Sequence, residues 1–171
     1  MEKEDIYCPL NSAKSFSNGE IPPESVQQIL RGALLTAYGS AKNTMELYIT
    51  DEKPLLERLS DVREGAEMLK FCSLAIIVVA DRLYDGSWIE NSLASVWAIC
   101  SKASELGVAY APLQIRGYSL SDGTLSDEIV RGIMEIPESK TVCSIVALGY
   151  SEIESYKVED DELDWERVHI K

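Results

Sequence analysis

Apolar residues recur along this chain with two periods. From Val26 to Ala37 they fall at Val26, Ile29, Leu30, Ala33, Leu34 and Ala37, the stripe of one helix face. Pro22 and Pro23 precede the stripe, where a helix has no use for their missing N–H groups, and Gly39 marks its end. "ELYIT" then reads as a short strand, rich in aromatic and β-branched residues. Pro54 to Leu59 and Val62 to Phe71 read as two short helices. "SLAIIVVAD" and "TVCSIVALGY" are near-continuous apolar runs, the pattern of strands buried on both faces.

The longest helical stretch runs from Trp88 to Leu106, closed by Gly107. Between Asn91 and Ser101 it carries no charge and is rich in Ala and Ser. A helix with no charged face is buried on all sides, in the core or in a subunit contact, and its small residues allow close approach of another helix. "VAYAPLQI" is a strand containing Pro112, which cannot donate to a ladder and so marks an edge, a bulge or a strand end. "LSDEIVRGIMEI" is helical, with Ser126 as its cap. The segment from Ser151 is acidic, but "DWERVHIK" regains alternating apolar residues. The order of elements predicts one layered α/β domain with helices on both faces of a sheet.

Length agrees: 171 residues suit one domain with a real core. The formal net charge of −13, from 16 basic against 29 acidic side chains with no basic run, argues against nucleic acid or an anionic membrane as partner. The opening "MEKEDIYCPL" is charged, so no signal peptide is expected, and "LAIIVVA" is too short to span a bilayer. Cys8, Cys72, Cys100 and Cys143 lie far apart without a CxxC pair, which suits buried free thiols in a reducing cytoplasm. His169 is the only histidine, which argues against a histidine metal cluster or a Ser-His-Asp triad.

Three polar stretches are candidates for chemistry. In "YAPLQIRGYSLSDG" a proline-interrupted strand end leads to Arg116 and a glycine loop; either its backbone N–H groups are free to meet a ligand, or it is a plain loop with a surface arginine. In "AYGSAKNTMEL" the residues Ser40, Lys42, Asn43 and Thr44 suit a site between helix and strand, or simply a helix end and a turn. In "LNSAKSFS" the residues Ser12, Lys14 and Ser15 offer hydroxyls and a cation to a phosphate, or form a solvated lead-in anchored by Phe16.

Taken in order, these segments resemble the FMN-dependent nitroreductase family over nearly the whole chain. The residues that carry the resemblance are "LNSAKSF" before "IPPES", "SAKNTMELYIT", Trp88-Ile89-Glu90 opening the uncharged helix, Leu106-Gly107, Gln114-Ile115-Arg116, Ile136-Pro137-Glu138, "SIVALGY" and "ERVH" from Glu166 to His169. The resemblance implies a three-layer α+β sandwich, a mixed sheet flanked by helices, and a homodimer with FMN at the interface. Residues 151–171 would then be an extension packing on the partner subunit. It implies that Asn11, Ser12 and Lys14 hold the phosphate–ribityl tail and pyrimidine edge, that Asn43 bonds the flavin ring, and that a backbone N–H at Gln114 or Ile115 approaches flavin N5. Arg167 would reach the phosphate, with Arg116 in the same loop as Gln114. The implied activity passes electrons from NAD(P)H through the flavin to nitroaromatic, quinone or similar small acceptors, with no catalytic side chain and no metal. Two departures, Leu10 at the motif's arginine and "TMEL" after Asn43, point to an alternative: a non-catalytic flavin-binding or flavin-storage protein of the same fold.

Overall fold

A computed structural model describes residues 13–17, 19–36, 45–81, 87–153 and 162–170. Its elements in chain order are α1 (Pro23–Thr36), β1 (Met45–Thr50), α2 (Lys53–Leu59), β2 (Leu74–Ala80), α3 (Trp88–Glu105), β3 (Ala109–Gln114), α4 (Ser126–Met134) and β4 (Thr141–Gly149). Short 3₁₀ turns lie at Glu67–Phe71 and Trp165–Arg167.

The sheet has the order β1-β2-β4-β3. β2 and β4 are central, and every residue of both is buried. Alternate side chains of β2 leave on opposite faces, so one apolar run feeds two cores. Ile76 and Val78 join Val146 and Leu148 under Ile29 and Ala33 of α1 and Ile99, Cys100 and Ala103 of α3. Ile77 and Val79 join Ile145 and Ala147 under Leu56 and Leu59 of α2 and Val130 and Ile133 of α4. This is the expected three-layer sandwich. Each fully buried Ile, Val or Leu contributes about 1.5–3 kcal/mol.

The resemblance implies a mixed sheet, whereas all three ladders among the described strands are antiparallel. The reason is topological. β2 and β3 run in the same direction, joined by α3, but β4 inserts between them and runs opposite to both. β3 is therefore an edge strand, which accommodates Pro112.

Of the two expectations for helix α3, burial in the core holds for one face in the single chain. Ser92, Ser95, Ile99, Cys100 and Ala103 are buried, but Leu93 and Trp97 are exposed in the single chain. The Ser92 and Ser95 hydroxyls donate to the carbonyls of Trp88 and Asn91 one turn back, so these polar groups are satisfied within the helix. The close approach of a second helix is present: an added Cβ at Gly32 of α1 would lie 3.7 Å from the Ala98 carbonyl oxygen. Gly107 follows α3 with φ +69°, as a left-handed helix terminator requires.

Two local expectations change. Val62, Ala66 and Leu69 are all fully buried, and their spacing imitates a helix. Gly65, at φ +84°, breaks the path, and only the 3₁₀ turn Glu67–Phe71 follows. Ser126 is the first residue of α4 rather than its cap; Leu125 holds that position. The Ser126 hydroxyl is buried and donates to the Val62 carbonyl at 2.8 Å, so it serves a tertiary contact. Gly39 and the Ser40–Thr44 cluster lie outside the described residues.

Gly149 ends β4 against Phe16, whose ring packs on the lower core. A Cβ at Gly149 would lie 2.8 Å from Phe16 Cδ1 and 3.2 Å from Ser73 Oγ. Gly149→Ala should destabilise the fold by about 1–3 kcal/mol. A lowered urea midpoint with an unchanged slope is the expected result.

Candidate functional site

The N-terminal candidate segment is fixed at two points. The Ala13 N–H donates to the Tyr110 carbonyl of β3 at 2.7 Å, and the Ser17 N–H donates to the Tyr150 carbonyl at 2.7 Å. Between these anchors Phe16 turns inward, while Lys14 and Ser15 remain exposed. Lys14 makes no ion pair or hydrogen bond among the described residues. A backbone-anchored cation without a carboxylate partner is suited to an external anion. Asn11 and Ser12 lie outside the described residues, as does Asn43.

The second candidate lies four residues farther along β3, about 13 Å away at the strand's rise. Here the ladder between β2 and β4 slips by one residue. Val78 pairs with Ser144 and Val79 with Val142, leaving Cys143 bulged. The Cys143 carbonyl then accepts from both Ile115 N–H (3.0 Å) and Arg116 N–H (3.2 Å). Tyr118 N–H donates to the Ile115 carbonyl at 3.2 Å, and Gly117 takes φ +83° between them.

The Ile115, Arg116 and Tyr118 N–H groups are thus all bonded within the protein. The proline-interrupted strand end does not leave the Ile115 and Arg116 N–H groups unpaired, because the bulge turns one carbonyl toward both. Ile115 is also fully buried. The exposed groups at this end are the side chains of Gln114 and Arg116. Gln114 Nε2 donates to the Arg116 carbonyl at 3.0 Å, and the Arg116 guanidinium lies 5.8 Å from the centre of the Trp88 ring at the start of α3.

Two participants escape the sequence reading. Arg63 reaches from the turn after α2 to the Gln114 carbonyl at 2.6 Å, and its guanidinium lies 3.7 Å from the centre of the Tyr118 ring. No local pattern signals a contact between residues so far apart in the chain. Arg167, the C-terminal candidate, lies in an exposed segment with Trp165, Val168 and Ile170. Among the described residues no hydrogen bond or ion pair joins its side chain to Lys14 or Arg116.

Beneath the loop, burial pushes the Cys143 thiol above its ordinary range, opposed by a hydrogen bond with Ser92 and by the charge of Arg116. Burial pushes Cys72 up to about 11. Cys72, Cys100 and Cys143 are free and buried, while Cys8 is outside the described residues. Among the described residues no group of three His, Cys, Asp or Glu side chains is placed to hold a metal, and no helix is long and apolar enough to cross a membrane.

Comparison with known proteins adds the family. No family model matches the sequence. An FMN-dependent nitroreductase from Clostridium difficile is 31% identical, with 95% of this chain and 96% of that chain covered and a TM-score of 0.88. A protein of Archaeoglobus fulgidus with the provisional name NADH dehydrogenase/NAD(P)H nitroreductase is 27% identical over 164 residues, 92% of this chain and 91% of its own. A nitroreductase family protein from another Clostridium difficile strain shares the fold at a TM-score of 0.69 and 18% identity, covering 94% of this chain and 88% of that one. Identity above 30% over almost the full length of both chains places this chain in the nitroreductase family.

The buried thiols give a direct check on the site's floor. At about pH 8, where an ordinary cysteine ionises appreciably, iodoacetamide should leave Cys72, Cys100 and Cys143 of the folded protein unlabelled. All three should label once denaturant is added. Rapid labelling of Cys143 in the folded protein, read by peptide mass, would show an open loop instead.

Proposed function

We propose that this chain is an FMN-dependent oxidoreductase that passes electrons from NAD(P)H to nitroaromatic, quinone or similar small acceptors. The observation that carries the reading is its 31% identity, over almost the whole of both chains, to an FMN-dependent nitroreductase. When bound, FMN supplies the hydride and electron chemistry; the protein supplies binding, orientation and electrostatics.

The side chains present fit this cofactor in part. Lys14 is an exposed cation held by backbone bonds on either side, suited to the phosphate. Ser12 and Asn11 adjoin it in sequence, and Arg167 is a further cation for the same group. Gln114 and Arg116 present exposed polar side chains at the other end of β3, suited to the ring edge and to anionic groups. Asn43 is assigned to the ring by the family motif alone. Ile115 does not fit the role of a backbone donor, because its N–H is held by Cys143. Its part is to anchor the loop from below.

A dimer is part of this reading. The exposed Leu34 and Leu35 on α1, Leu93 and Trp97 on α3, and the apolar residues among 162–170 would be covered by the second subunit. Such side chains are costly to leave in water as a group.

The altered motif positions, Leu10 and "TMEL" after Asn43, support a second reading, a flavin-binding or storage protein without turnover. One experiment separates the two. Purified protein is titrated with FMN, then mixed with NADH or NADPH and an acceptor such as menadione. Flavin binding with rapid oxidation of the pyridine nucleotide supports the enzyme, and binding without reduction supports storage. No binding at all would overturn both. Lys14→Ala should weaken FMN binding about ten-fold or more, the loss of one charge-assisted contact; unchanged affinity would remove Lys14 from the site.

A further inference from the structure

The loop 114–118 is held from outside as well as from below, and the outside hold converges on one residue. Arg63 Nη1 donates to the Gln114 carbonyl at 2.6 Å, Nε donates to the Glu64 carbonyl at 2.9 Å, and the guanidinium carbon lies over the Tyr118 ring, 3.7 Å from its centre. Arg63 forms no salt bridge with a carboxylate among the described residues. Its polar capacity is directed to a main-chain carbonyl and an aromatic face.

The residue before Arg63 is anchored in the core. Val62 is fully buried, and its carbonyl accepts from the buried Ser126 hydroxyl at 2.8 Å. The Ser126 N–H in turn donates to the Tyr118 carbonyl at 3.0 Å. The chain path Val62–Arg63, Gln114–Tyr118 and Ser126 is thus a closed ring of contacts. Within it, Arg63 is the link that reaches both ends of the loop.

We propose that Arg63 is a positioning residue: by bonding the Gln114 carbonyl and covering the Tyr118 ring, it fixes the loop that presents Gln114 and Arg116 to the cofactor. This rests on the FMN reading above for its functional consequence, but not for its structural one. A planar guanidinium donates in its plane and stacks through its face at once; an ammonium is a compact point charge with no flat face to stack. The Tyr118 ring matters for its face, so its hydroxyl is dispensable.

These features give a pattern that a general loss of stability does not imitate. The full chain is compared with Arg63→Ala, Arg63→Lys, Tyr118→Phe and Tyr118→Leu. Amide hydrogen exchange is read without flavin in peptides covering 114–118, with β2 and β4 as internal references, and FMN affinity is read by titration. Arg63→Ala and Tyr118→Leu should speed exchange in 114–118 about ten-fold while β2 and β4 keep their protection, and should weaken FMN binding several-fold. Arg63→Lys should fall between, and Tyr118→Phe should match the parent in both readings.

Unchanged exchange in 114–118 for folded Arg63→Ala overturns the proposal. Should that variant lose its fold, Tyr118→Leu decides in the same way. A loop that loosens while FMN affinity stays at the parent value overturns the positioning role. If the parent itself binds no FMN, the loop-specific exchange pattern still tests the latch, and it is the cofactor reading that fails.

Discussion

The antiparallel pairing of β2 with β4 is the constraint on which the rest of this molecule depends. Both strands are buried along their whole length, so each backbone group must be bonded within the sheet. Both faces carry branched aliphatic side chains, so helices must cover both. Three layers follow from that requirement. The edge positions of β1 and β3 follow from it too, because the two strands able to lie in the middle are those without charge, proline or an exposed face.

The same pairing creates the candidate site. The one-residue slip between the two strands leaves Cys143 as an extra residue on β4, which bulges there. The bulged carbonyl then meets the chain as it leaves β3, and two successive N–H groups converge on it. A bend is thus built at the end of an edge strand, where side chains can reach solvent. Gln114 and Arg116 are exposed because Ile115 between them is buried. Arg63 and Tyr118 close the loop from the side of α2. The N-terminal segment uses the other end of β3 in a similar way, with Lys14 held outward between two backbone anchors and Phe16 held inward.

Charge gives these cations their meaning. On a chain with a net charge of −13, any anionic ligand is repelled at long range, and binding depends on local cations. Lys14, Arg116 and Arg167 are exposed cations at positions that the proposed function assigns to the cofactor. The apolar side chains of the C-terminal segment face water in the single chain, and in the proposed dimer a second subunit would cover them.

Much of this was legible in the sequence, and the reasons are physical. Apolar runs and the helical stripe from Val26 identify buried strands and a one-sided helix, because burial is proportional to apolar area and periodicity sets which face is buried. Pro112 narrowed its strand to an edge, a bulge or a strand end, because a missing N–H is tolerated only there, and the sheet order makes it an edge. The ordered motifs identified the family. What failed was everything set by contacts between distant segments. Val62, Ala66 and Leu69 have helical spacing, but their burial against the sheet comes from a turn at Gly65. Ser126 has the chemistry of a cap, but its hydroxyl is taken by Val62. The Ile115 and Arg116 N–H groups, expected to be free, both bond the Cys143 carbonyl at a bulge in β4, and Arg63 reaches its loop over a separation of 51 residues. Local composition decided which residues are buried and which elements form; only the tertiary structure decided which donors remain free and which side chains meet, because hydrogen bonds depend on ångström-scale register that no local pattern encodes.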